Sequence, residues 1–192
     1  MQKNLKIIFT QRDHMRLKFI ALTTLTTLTT LTISGCVGRP SANTIREQQI
    51  TMDQGNAHLQ RAIASQHPVY INSKYISPPN SAGGVSARYS LRNISAKPIK
   101  YITLSLIPYN AVGDIVKSSI GGKTLVLAEF TGPLATMEFT YPTWNNLWYN
   151  QTLRCVQLEG IEIIYMDGEI KKIEKSNIGE VFSQSLSNTC KV

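Results

Sequence analysis

Three cysteines have the most chemistry to offer, and their settings differ. Cys36 follows Ser34 and Gly35 at the end of an uncharged run, apart from the other two. Cys155 and Cys190 form an even pair that an oxidising compartment would join. A bridge between them closes a loop of about 35 residues and clips the C-terminal tail to the core, worth about 3 to 4 kcal/mol on a chain-entropy argument. Two free thiols are the alternative, because spacing alone does not place the sulfurs within bonding distance. Neither cysteine has the Cys-x-x-Cys spacing of a redox enzyme.

Beyond the thiols the inventory is thin. His58 and His67 flank a helix end with no Cys or acidic residue at ligand spacing, so no metal site is expected. Glu129, Glu138, Glu162, Glu169 and Glu174 fall mostly on outward strand positions, where a solvated charge is the ordinary reading, and Asp114 and Asp167 are turn residues. There is no Gly-x-Ser-x-Gly and no phosphate-cradling glycine loop; Gly83-Gly84 and Gly121-Gly122 are turn signals. The expectation is a protein without catalytic residues or cofactor.

The densest unusual stretch is Tyr141-Pro-Thr-Trp144-Asn-Asn-Leu-Trp148-Tyr149-Asn150, with both tryptophans beside several amides. Tyr141, Trp144, Trp148 and Tyr149 form a candidate binding surface, since such aromatics concentrate at binding hot spots and stack on sugar rings. A small β domain also needs large aromatics in its core. Core packing, a protein-partner surface and a glycan or small-ligand site therefore all stand as readings.

The N-terminus fixes the expected address. Lys3, Lys6, Arg12, Arg16 and Lys18 face a single Asp13, and residues 19–33 are uncharged, apolar and rich in threonine. This is the pattern of an export signal, and the run falls short of the roughly 20 apolar residues of a spanning helix. Met15 opens an equally good signal, so translation starts at Met1 or Met15. The segment Leu31-Thr32-Ile33-Ser34-Gly35-Cys36 resembles the lipobox of bacterial lipoprotein precursors. The resemblance implies a diacylglyceryl group on Cys36, removal of 1–35 by the lipoprotein signal peptidase, and attachment of the mature chain to a membrane. Two or more acyl chains give stable anchoring. In enteric-type lipoproteins an aspartate after the cysteine signals inner-membrane retention. Val37 and Gly38 stand here, which implies the outer membrane, facing the periplasm.

Export also changes the charge argument. The whole chain carries +8; taking the signal's five basic and one acidic residues from 20 and 12 leaves 15 against 11, a net +4. The remaining basic residues are scattered, and Lys171, Lys172 and Lys175 are interrupted by Glu169 and Glu174, so no nucleic-acid partner is expected. At 42% hydrophobic and 192 residues, the chain can fill one packed core.

The elements that would position these residues read as follows. Residues 37–52 are polar and aperiodic, a flexible tether; Asp53 caps a short helix over 54–65, which Pro68 ends. Val85, Ala87, Tyr89 and Leu91 alternate with Ser86, Arg88, Ser90 and Arg92, and Ile102, Leu104 and Leu106 repeat the period, so the two runs read as a β-hairpin. Further strands fit 69–76, 113–119, 123–130 and 135–141; in the last, Met137, Phe139 and Tyr141 share a face. Val156 and Leu158 have one parity and Ile161, Ile163 and Tyr165 the other, which predicts a bulge at Gly160, and Asp167-Gly168 predicts a hairpin.

Seven or eight short strands predict a mainly β fold, an antiparallel immunoglobulin-like β-sandwich over 68–192, preceded by the signal peptide (1–35) and by a lipidated tether and short helix (36–67). Tyr89 to Val116, with Asn93, Lys97-Pro98 and Tyr109-Asn110 before Gly113, resembles the FxLYD-type immunoglobulin-like domains of bacterial envelope proteins. It departs from them in Asn110 for Asp, in Pro108 within the strand and in a longer segment after Gly113. The functional expectation is a non-enzymatic outer-membrane lipoprotein whose β domain binds an unidentified envelope protein, as an accessory subunit of an envelope assembly; the alternative is a lipidated glycan or small-ligand binder.

Overall fold

In the computed structural model, residues 41–190 are described; the expected signal peptide, Cys36 and the first residues of the expected tether lie outside them. Helix α1 runs from Ala42 to Ala64. It begins eleven residues before the expected N-cap, because the hydroxyl of Ser41 accepts from the Thr44 amide at 3.2 Å. Asp53 lies inside the helix and accepts from Gln49 Nε2 one turn back at 3.1 Å. Residues 42–52 are thus helical instead of a flexible tether. The C-terminal half of α1 lays Leu59, Ala62 and Ile63 on Tyr70 and Ile94. Among the described residues no helix is long and apolar enough to cross a membrane.

Eight strands follow: β1 (Val69–Ile76), β2 (Gly84–Asn93), β3 (Ile99–Tyr109), β4 (Val126–Leu134), β5 (Phe139–Thr140), β6 (Thr143–Tyr149), β7 (Cys155–Tyr165) and β8 (Ile170–Glu174), then helix α2 (Ile178–Val181). All pairings between them are antiparallel. The first sheet joins β1 to β2, and β2 to both β5 and β6; the second runs β4-β3-β7-β8. Val85, Ala87, Tyr89 and Leu91 of the first sheet and Ile102, Leu104, Leu106, Val156 and Leu158 of the second meet in one core.

The expected hairpin of 85–92 with 102–106 does not form, because β2 and β3 belong to different sheets. Asn93 makes the crossing. Its buried side chain donates to Lys97 O (2.9 Å) and Leu134 O (3.0 Å) and accepts from the Ser95 amide (2.9 Å) and hydroxyl (2.7 Å). The amide thus satisfies backbone groups that a hairpin ladder would have paired. Residues 113–119 form no strand beyond an isolated bridge of Ile115 to Tyr109, since Asn110 Oδ1 accepts from the Val112 and Asp114 amides and curls the segment into a turn. The strands expected at 123–130 and 135–141 lie at 126–134 and 139–140, and the unexpected β6 occupies 143–149.

The end of the chain matches expectation more closely. The register of β3 with β7 shifts where Ser105 and Leu106 face Gly160 and Leu158, so Val156, Leu158, Ile161, Ile163 and Tyr165 all point inward. Gly168 turns β7 into β8 at φ +88, a conformation that costs an L side chain energy. The Cys155 and Cys190 sulfurs are joined, with Cα atoms 5.7 Å apart. The tail they fix closes two strand edges. The Ser183 amide donates to Ile71 O (2.9 Å), and Asn188 takes both backbone groups of Leu158 (2.9 and 2.8 Å).

Candidate binding surface

Strand alternation and register build a surface on the outward side of the first sheet. Leu91, Tyr89 and Ala87 point into the core, so Arg92, Ser90 and Arg88 point out. Arg92 lies opposite Tyr70 on one side and Phe139 on the other; Arg88 lies opposite Tyr75 and Thr143. Between them Ser90 faces Ser73, and the same register carries Tyr141 to its other flank. A central column of two arginines and a serine is therefore lined by aromatic and hydroxyl side chains.

Both guanidinium groups are held. Arg88 Nε donates to Thr143 Oγ1 at 2.9 Å, which orients the fork. Arg92 lies 4.5 Å over the Phe139 ring, and its buried Nε meets no hydrogen-bond partner among the described residues. Neither arginine has a carboxylate within ion-pair distance among those residues. Strands β1, β2, β5 and β6 contain no Asp or Glu at all. The nearest in sequence, Glu138, turns its carboxylate back to accept from the Ala135 amide at 2.7 Å. Lys74 turns the other way, toward Val156 O and the Phe182 ring, and burial lowers its pKa. Phe139, Tyr75 and Tyr141 stay exposed, at 41%, 60% and 65%.

The four aromatics singled out from sequence separate. Trp148 is wholly buried in the core, packed where the register of β6 with β2 slips, and is thereby removed from the candidate surface. Trp144 is half-buried; its indole N–H donates to Glu129 O at 2.8 Å across to β4, and its ring meets Tyr89 edge-on. Tyr149 is half-buried, its amide donating to Ser118 Oγ and its carbonyl accepting from Ser119. Only Tyr141 is exposed. Arg88, Arg92, Tyr75 and Phe139 were not singled out, although the alternation over 85–92 already set the two arginines on one face.

Elsewhere several titratable groups are engaged with one another. His67 Nε2 meets Glu180 Oε2 at 2.7 Å, and His58 Nδ1 lies 3.4 Å from the Tyr70 hydroxyl; burial and then Arg61 lower the His58 pKa. No group of three metal-ligating side chains occurs among the described residues. A depression of about 360 Å³ between the end of α1 and the 94–97 turn contains Lys97 and Lys171. Lys97 is spent on Asp167 and Glu169, and Lys171 on Gln66 O. On the outward face of the first sheet two arginines are positioned on one side of one strand and meet no carboxylate among the described residues. No family model matches the chain, and no curated protein is significantly similar to it.

Proposed function

We propose that the chain is the precursor of a non-enzymatic lipoprotein, anchored by lipid on Cys36 in the bacterial outer membrane and facing the periplasm, whose two-sheet body is a protein-interaction module. In this reading the two sheets form an immunoglobulin-like sandwich, and the module serves as an accessory subunit of an envelope assembly. The carrying observation is the outward face of the first sheet, where two oriented arginines and three exposed aromatics stand without a carboxylate among the described residues. Aromatic residues and arginine are the types enriched at protein interfaces. The lipobox-like Leu31 to Cys36 supplies the anchor. Helix α1 starts six residues after Cys36, and its N-terminal half, ahead of the half packed on Tyr70 and Ile94, supplies a stalk of about 18 Å at 1.5 Å per residue. The alternative glycan or small-ligand reading needed Trp144, Trp148 and Tyr149 together as a stacking platform, and burial of Trp148 takes that platform away.

The test is in-cell crosslinking of the tagged full chain, followed by detergent extraction and mass spectrometry, with Cys36→Ser alongside. The expected result is a reproducible set of envelope proteins with the wild type, and unprocessed or aqueous-phase Cys36→Ser. Recovery of the chain alone would sink the interaction-module reading, and normal detergent-phase partitioning of Cys36→Ser would sink the lipid anchor.

A further inference from the structure

We infer that the partner presents an extended acidic segment to the outward face of the first sheet, with carboxylates on Arg88 and Arg92 and apolar side chains against Tyr75, Phe139 and Tyr141. The inference rests on the interaction-module reading and adds the chemistry of what is bound.

Charge complementarity carries it. Arg88 and Arg92 are four residues apart on one side of β2, about 13 Å at 3.3 Å per residue. An extended segment repeats side chains on one face every second residue, so acidic groups at i and i+4 match that separation. Each arginine has already been restrained, by the bond to Thr143 and by stacking on Phe139, so little rotamer freedom is lost when a carboxylate arrives. A guanidinium accepts a carboxylate through two parallel hydrogen bonds, which fixes direction as well as charge. No carboxylate of β1, β2, β5 or β6 competes for it. Arg61, from the end of α1 that covers Tyr70, adds positive field at the same end of the sheet.

A protein segment is favoured over a polyanion such as an anionic glycan or lipid headgroup layer. Binding to a polyanion scales with the number of cations engaged, and this face supplies two. The other exposed groups on it, Tyr75, Phe139, Tyr141, Ser73 and Thr143, are uncharged, and arginine set among aromatic side chains is how a protein hot spot is built.

The experiment places a photo-crosslinking amino acid at Tyr141 in the full, lipid-processed chain in cells, with a control at Leu127 on the outward side of the second sheet. The expected result is a protein adduct at 141, absent at 127, whose crosslinked peptide carries Asp or Glu at i and i+4. Its yield falls at least tenfold in Arg88→Glu/Arg92→Glu and recovers when those partner acids are changed to Lys. Arg88→Gln/Arg92→Gln, with thermal unfolding as a fold check, gives the same loss without introducing charge. A protein adduct that ignores the arginine variants overturns the inference, as does a lipid or glycan adduct, or one to a second copy of this chain. If proteins still co-purify with the wild type in those cases, the interaction-module reading survives and the acidic partner does not.

Discussion

The outward faces of the two sheets treat charge in opposite ways. On the second sheet, register sets Glu129, Thr103, Glu162 and Lys172 in one row across four strands, and Lys172 meets Glu162 at 2.9 Å. Lys175 closes on Glu159 at 2.8 Å below it. On the first sheet, the corresponding central positions hold Arg88 and Arg92, oriented by Thr143 and Phe139 and met by no carboxylate among the described residues. Cross-strand charge pairs complete themselves within the fold. Charges that the fold aims but does not pair are available to something else, and that difference, more than the number of exposed aromatics, marks one face as the working surface.

The comparison breaks first if the inward and outward sides of the first sheet are not energetically distinct. Trp148→Ala is expected to cost about 3 to 5 kcal/mol, as for other buried aromatics cut to alanine. Tyr141→Ala, seven residues earlier on the exposed side, should stay within about 0.5 kcal/mol. Urea unfolding followed by circular dichroism gives both numbers, and similar losses for the two would mean that Tyr141 is packed and unavailable. Because the buried Trp148 indole N–H meets no hydrogen-bond partner among the described residues, Trp148→Phe should recover most of the loss.

The next effect in size concerns the tail that seals the sheets on the side away from Trp144. Cys155→Ser/Cys190→Ser opens a 35-residue loop and should lower stability by about 3 to 4 kcal/mol on the chain-entropy argument. Crosslinking at Tyr141 should persist at temperatures where the variant stays folded, since the tail touches β1 at Ile71, a core position. An unchanged melting temperature would show that Asn188 and Ser183 hold the tail without the bridge.

Much of this architecture was legible in the alternation of residues, and what was not had non-local causes. The bulge at Gly160 could be read because both of its flanks are buried and the parity of Val156 and Leu158 switches before Ile161. The partner of β2 could not be read, since the Asn93-Ile-Ser-Ala-Lys97-Pro98 turn looks local while Asn93 reaches Leu134, 41 residues on. Met137, Phe139 and Tyr141 share the apolar parity of their run, but parity alone does not say which side of a sheet it takes. Phe139 and Tyr141 lie on the outward side of an edge interrupted by Pro142, and Leu91, Tyr89 and Ala87 supply the core there. The two arginines were visible on one face of β2 and Tyr141 as a candidate contact, but it takes the register of β2 with β1 and β5 to bring Tyr75 and Phe139 around them.

Charge reversal compares the two faces directly and with smaller effects. Glu162→Lys sets two like charges opposite each other at Lys172 and should lower the melting temperature at low salt. The loss should disappear at about 1 M salt, where the screening length is about 3 Å. Arg88→Glu removes no ion pair, so its melting temperature should be insensitive to salt while the Tyr141 crosslink is lost. A salt-dependent fall for Arg88→Glu would reveal a carboxylate partner for Arg88 in solution and erase the contrast.

The smallest expected effect tests whether paired charges are held in water. Lys97 bridges the crossing turn to the β7–β8 hairpin, reaching Asp167 and Glu169 at 2.6 Å each. Its hydrogen bond holds the Asp167 carboxyl below the ordinary carboxylate range, and the two acids raise the Lys97 pKa. A carboxyl with a depressed folded-state pKa contributes stability that is fully present above its unfolded value of about 3.9 and is lost as the pH falls through the folded value. Lys97→Ala should therefore let Asp167 titrate nearer about 3.9 by carboxyl NMR. The melting temperatures of variant and wild type should differ slightly at neutral pH and converge in acid. The effect stays small because all three groups are about half exposed, where ion pairs contribute little. If Asp167 titrates at the same pH with and without Lys97, the charges around the second sheet's hairpin are not paired in solution, and the arginines of the first sheet lose the contrast that singles them out.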